Sequence, residues 1–261
     1  MSHAIISLYA VPRELAHVED ITTAHPRRWL AAGWRDLRRA PASSIAYGVL
    51  FVIASYLITL GLVLYQLYYL LLPLIGGFFL VAPALGVGLY EISRRLEQGE
   101  SPTLFQAMSA IGRRRFQLST MGAALVVIYV IWLMAANLIF ALLGSGITPT
   151  AENALAYLLS AENAPMLAVG SLVGAIFALG VFAATAVSVP MLLDRDEVDL
   201  FSAMQTSLAA FRYNWRPMLL WAGIILAVML GGFLTLYVGL VIGFPLLGHA
   251  TWHAYKDLVK P

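Results

Sequence analysis

The chain has 261 residues, of which 61% are hydrophobic and only 11% charged, where a soluble domain carries about a quarter charged. With a mean hydropathy of +0.82, this composition excludes a soluble enzyme, a disordered tail and a nucleic-acid module. A net charge of +2 leaves no surplus for binding polyanions, and the absence of cysteine removes disulfides, thiolate zinc sites, iron–sulfur clusters and catalytic thiols.

Residues 1–25 read as a cytoplasmic N-terminal tail. Residues 1–20 have no basic n-region and only a short apolar run, so no cleavable signal peptide is expected and targeting falls to the first span. A helix needs roughly 20 apolar residues to cross the hydrocarbon. Ala40 to Tyr90 contains no Asp, Glu, Lys or Arg, which fits a hairpin of two spans near 44–66 and 70–93, turning around Leu67–Tyr69. The charge-free stretches Phe116–Ala151 and Asn163–Leu193 predict one span each, near 118–142 and 167–191. Pro217–Tyr255 is also charge-free, either as one long helix or as two tight spans turning near Gly231-Gly232.

The distribution of basic residues decides between these. With six spans, all 16 Lys and Arg, from Arg13 to Lys260, fall on one face, while the long outer loop holds only Glu152 and Glu162. Five spans would strand Lys256 and Lys260 outside. The positive-inside rule therefore selects six spans with both termini cytoplasmic. Tyr65, Tyr68 and Tyr69 at the outer turn, and Trp29, Trp34 and Trp215 at the inner face, suit interfacial anchoring, with packing between helices as the alternative.

An internal repeat accompanies the spans. Ser101-Pro102-Thr103-Leu104-Phe105-Gln106-Ala107-Met108 precedes the third span and Asp199-Leu200-Phe201-Ser202-Ala203-Met204 the fifth, so Leu-Phe-x-Ala-Met recurs at equivalent places behind a helix-starting signal. Trp29-Leu30-Ala31-Ala32-Gly33 takes that place more loosely before the first. Pro83, Pro190 and Pro245 each lie just before a cytoplasmic exit, and Pro83-Ala84-Leu85-Gly86 matches Pro245-Leu246-Leu247-Gly248. The expectation is an all-α, six-transmembrane-helix bundle in one transmembrane domain, 26–261. It is built from three parallel repeats of an amphipathic helix plus two spans, about 26–100, 101–196 and 197–258. The basic amphipathic segments either meet anionic headgroups or pack under the bundle.

Gly76-Gly77-Phe78-Phe79-Leu80-Val81-Ala82-Pro83, Gly88-Leu89-Tyr90-Glu91-Ile92-Ser93-Arg94-Arg95-Leu96-Glu97 and Gly248-His249-Ala250-Thr251-Trp252-His253 carry a resemblance to a bacterial family of membrane proteins, domain of unknown function 2189. The resemblance spans about residues 26–258. It implies a multi-span protein of the bacterial inner membrane and supplies neither an activity nor functional residues.

Candidate functional residues are few. The span interiors hold almost no ionisable groups, which argues against an ion-coupled transporter with a charged midplane site. Gln66, Asn137, Thr185 and Ser188 are expected to hydrogen-bond between helices. His249 and His253, at i and i+4, share one helix face. Aligning the prolines sets Glu91 opposite His253 and Asp194 opposite His249, so the four are candidate ligands of a divalent metal, or the histidines of a haem. The alternative is that they only end the helices at the aqueous interface. Small residues at four-residue spacing, Gly170, Gly174 and Ala178, and Gly239 with Gly243, predict close helix packing or a face for a partner. Phosphate-loop, serine-elbow and HExxH motifs are lacking. The expected function is a membrane protein without catalytic chemistry: an accessory, assembly or organising subunit that binds other membrane subunits or itself. The alternative is a channel or permease for a small uncharged or lipophilic solute, and a metal- or haem-dependent enzyme ranks third.

Overall fold

A computed structural model describes residues 17–112, 115–145 and 153–260. Most of the N-terminal tail with Arg13, the pair Arg113 and Arg114, and Glu152 lie outside the described residues.

The described chain is helical. Proline at the first turn, where a missing N–H costs nothing, starts α1 (His25–Arg39), α2 (Pro41–Leu64) and α8 (Ala164–Thr185). Between them run α3 (Leu71–Leu85), α4 (Val87–Glu97), α5 (Leu104–Met108), α6 (Arg115–Leu143) and α7 (Ala154–Leu159), and α9 (Ser188–Asp194), α10 (Leu200–Tyr213), α11 (Trp215–Leu234) and α12 (Leu240–Leu258) follow. Five segments are long and apolar enough to cross a membrane: Pro41–Leu64, Tyr68–Glu97, Arg115–Leu143, Ala161–Asp194 and Trp215–Leu234. Many of their leucines point away from the protein; Leu64, Leu142 and Leu234 are 69%, 71% and 86% exposed. Such surfaces are stable only against hydrocarbon.

The second and fourth segments are broken where they leave the apolar layer. Tyr68–Glu97 bends at Gly86 between α3 and α4, three residues after Pro83; Ala161–Asp194 breaks at Ala186–Val187 ahead of Pro190. Pro245 lies inside α12 without ending it. α4, α9 and the C-terminal half of α12 pack on one another, and Leu247 to Trp252 are all buried. Glycines let α12 sit this deep. A side chain on Gly33 would meet the backbone of Ala250 and Leu246, and one on Gly48 the carbonyl of Val241, whose helical donor Pro245 removes.

The hairpin between α11 and α12 turns at Thr235–Gly239, not at Gly231-Gly232. Gly232 instead admits the Leu240 side chain against its Cα, so the pair packs the hairpin shut. The turn has Leu236 and Tyr237 at φ 51° and 70°. The Thr235 hydroxyl donates to Gly232 O at 2.8 Å and accepts from Gly239 N at 2.8 Å.

An amphipathic or short helix precedes α2, α6 and α11. Thr103 caps α5 through a reciprocal bond with Gln106, and Asp199 caps α10 by accepting from Ser202 N at 3.0 Å. Thr103 is thus the cap in the first of these. Ala107 and Ala203 are buried while Phe105 and Phe201 are exposed. Trp29 is buried and donates to Asp257 at 2.7 Å, so it packs instead of anchoring; Trp34 and Trp215 are exposed.

Candidate functional site

α1 carries its buried residues at Trp29, Ala32, Gly33, Asp36 and Leu37, a single helical stripe that includes one carboxylate. That stripe faces α12 and brings Asp36 to both histidines. Ser93 Oγ donates to Asp36 Oδ2 at 2.8 Å, and His253 Nε2 meets the same oxygen at 2.8 Å. Because Ser93 spends its proton on Asp36, its oxygen accepts from His249 Nδ1 at 2.8 Å. His249 Nε2 then accepts from the Ser44 hydroxyl at 2.9 Å. The result is a continuous chain, Ser44–His249–Ser93–Asp36–His253, joining α2, α12, α4 and α1. Ser44, Ser93 and His249 are fully buried. Burial alone would raise the Asp36 carboxyl, but hydrogen bonds from His253 and Ser93 outweigh it, holding Asp36 below the ordinary carboxylate range.

The four residues expected to converge are divided between three places. His249 and His253 share the network just described. Glu91 is clasped by Arg94 at 2.7 and 2.9 Å and by Arg95 at 2.6 Å. Asp194 accepts from Tyr255 at 2.8 Å and from Lys256 at 3.2 Å. Among the described residues no group of three or more His, Asp or Glu side chains is arranged to hold a metal ion. Both ring nitrogens of His249 are engaged, so ligation would have to break a buried hydrogen bond. Asn137 and Thr185 bond to the carbonyls of Leu133 and Val181 in their own helices, and Ser188, at the start of α9, bonds back across the break to Ala184 of α8. Gln66 occupies the turn between α2 and α3 at φ 56°. Sequence reasoning missed Asp36, Ser44 and Ser93. The signal for Asp36 was present in the apolar stripe to which it belongs.

The second feature lies in the apolar layer. α3, α6, α8, α11 and α12 enclose a cavity of about 900 Å³, at the upper end of the roughly 300–1,000 Å³ that small-molecule sites occupy. It runs beside α8 from Met166 to Ala186, about 30 Å at 1.5 Å per residue. α8 and α11 do not pack closely on each other. The gap between them is bordered by exposed Ser171, Ala175 and Leu179 on one side and Leu219, Gly223 and Leu226 on the other. The mouth therefore faces lipid laterally. Among the described residues, no charged side chain lines the cavity. Gly170, Gly174 and Ala178, expected as a helix-packing face, serve two purposes: Gly174 fits against Trp132, and all three leave room along the cavity wall. Gly86, at the α3–α4 break, and Pro83 line the inner part, with Tyr90, Thr185 and Thr251 nearby.

No curated protein and no solved structure matches the chain. The Gly248–His253 segment lies outside the part of the chain that a family match covers. The segments Gly76–Pro83 and Gly88–Glu97 lie inside it: over residues 71–194, this helical, multi-pass protein matches the family described as predicted integral membrane protein (DUF2189).

Proposed function

We propose that the protein is a multi-pass protein of the bacterial inner membrane that takes a lipophilic, uncharged molecule from the bilayer into the cavity between α8 and α11. The observation that carries this reading is the cavity itself: long, apolar, free of charge and open sideways to lipid. A soluble ligand would have to cross hydrocarbon to reach such a mouth, whereas a membrane-dissolved one arrives by lateral diffusion. Whether the molecule is stored, presented or passed across, the site that receives it is the same.

Six crossings and cytoplasmic termini are part of the proposal. Val18 pairs with Val259 in an antiparallel bridge, and Glu19 N donates to Leu258 O at 2.9 Å. A chain whose two ends meet on one side has crossed the membrane an even number of times. With five apolar spans, α12 is the natural sixth crossing, returning the chain from the Thr235–Gly239 turn to the side where the ends meet. Basic residues on the face of the termini support a cytoplasmic assignment. Matching caps and the matching burial of Ala107 with Ala203 and Phe105 with Phe201 support the correspondence of the second and third units of the repeat.

A second reading, an accessory or assembly subunit, is favoured by Gly61, Gly122, Gly180 and Gly231, at which an added Cβ would meet nothing. Such positions admit close approach of another helix.

Gly223 also has open space around it and borders the cavity, so Gly223→Phe should fill the mouth without disturbing the fold. Native mass spectrometry of gently purified protein should find bound membrane lipid or isoprenoid on the parent chain and strongly reduced occupancy on the variant. Equal occupancy in both would remove the cavity as the binding site.

A further inference from the structure

The cavity is not uniformly apolar in its demands. At its inner end Tyr90 is 5% exposed and contributes to the lining. Its side chain runs back along α4 toward the preceding turn, as long helical side chains do, and brings the hydroxyl against Gly86, where an added Cβ would meet Tyr90 Oη. Gly86 lines the cavity too. Among the described residues, no group pairs with this hydroxyl. The neighbouring polar groups are committed: Thr185 donates to Val181 O at 2.6 Å, Thr251 to Leu247 O at 2.8 Å, and Tyr47 to Leu85 O at 2.7 Å. A hydroxyl without a protein partner at the wall of an apolar cavity is costly, and a protein tolerates one where a ligand completes it.

We propose that the inner end of the cavity is a head-group subsite, in which the Tyr90 hydroxyl donates a hydrogen bond to the carbonyl oxygen of a neutral lipid whose hydrocarbon tail fills the remainder. The inference rests on the lipophile-binding reading above and specifies the ligand's chemistry. The head must be neutral, because no charged side chain among the described residues lines the cavity and a buried unpaired charge is far more costly than a dipole. It must present an acceptor, because the uncommitted group is a phenolic donor. The tail must be long, because apolar wall extends along most of α8. Gly86 is required in this arrangement, since a side chain there would displace the hydroxyl.

The test uses the full-length protein in maltoside micelles, with methyl oleate carrying carbon-13 at its carbonyl and with octadecene as the tail without a head. Binding is counted by native mass spectrometry, and the ester carbonyl stretch is followed by infrared spectroscopy. On the parent chain, methyl oleate should bind more tightly than octadecene, with its carbonyl stretch moved to lower wavenumber. Tyr90→Phe should weaken methyl oleate about three- to tenfold, the worth of one hydrogen bond, abolish the infrared shift and leave octadecene unchanged. The hydroxyl holds no other group in place, so this variant is expected to fold; an unchanged thermal midpoint verifies it. Equal methyl oleate affinity and an unchanged carbonyl band in Tyr90→Phe would overturn the subsite. If both probes still lose affinity in Gly223→Phe, the cavity reading survives that result. Absence of binding by either probe to the parent chain would overturn both.

Discussion

Asp36 is a carboxylate placed on the buried stripe of an otherwise basic helix, and its energetic role follows from its partners. Ser93 and His253 both reach its Oδ2 at 2.8 Å, and hydrogen bonds to a charged group contribute about 1.5–3 kcal/mol each. Asp36→Asn should therefore lower the thermal midpoint by an amount equivalent to about 2 kcal/mol, measured by tryptophan fluorescence in detergent; an unchanged midpoint would contradict the role given to the network. The pH dependence has a definite sign. A carboxyl held below its ordinary value contributes stability that is complete above that value and is lost as pH falls through the lowered one. The parent chain should lose midpoint on acidification into the carboxylate range, and Asp36→Asn should lose less over the same interval. This network was only half legible in the sequence. The spacing of His249 and His253 announced a shared face, but proline alignment nominated Glu91 and Asp194 as partners. Each of those carboxylates has other basic or phenolic partners, Arg94 and Arg95 on its own helix for Glu91, and Tyr255 and Lys256 on α12 for Asp194. Ser44 and Ser93 carry no sequence signal, because a lone hydroxyl is as ordinary in a membrane helix as in a site.

At the scale of elements, glycine contacts separate helices that must touch from helices that face lipid. Gly48 on α2 abuts the backbone carbonyl of Val241 on α12, and a carbonyl cannot swing away as a side chain can. Gly48→Leu should force the two helices apart and cost about 1–3 kcal/mol. Gly61, on the same helix, has nothing near it; Gly61→Ala should stabilise by up to about 1 kcal/mol through helix propensity alone. A thermal-shift comparison of the two checks both, and similar effects at the two glycines would contradict the assigned packing of α2. Four spans were legible within a few residues of their observed ends, because hydropathy and charge-free length report directly on the hydrocarbon. The turn after α11 was misplaced: Gly231-Gly232 resembles a turn in sequence but provides clearance for Leu240, while the actual turn uses Leu236 and Tyr237 in left-handed conformations that their side chains disfavour. The small-residue spacing on α8 was visible, but periodicity cannot tell a face that meets a helix from one that borders a void.

For the whole molecule, the mouth beside Gly223 is the route by which the proposed ligand would reach the cavity. The chain contains no cysteine, so a single Cys introduced at Gly223 can carry one spin label without a reactive background. Electron paramagnetic resonance of that label in lipid nanodiscs, with oxygen as the apolar relaxant and a water-soluble nickel chelate as the polar one, tests the lateral opening directly. High accessibility to oxygen with little to nickel is the predicted result. Strong relaxation by nickel would mean that water, not lipid, fills the cavity, and would contradict the assignment of a lipophilic ligand.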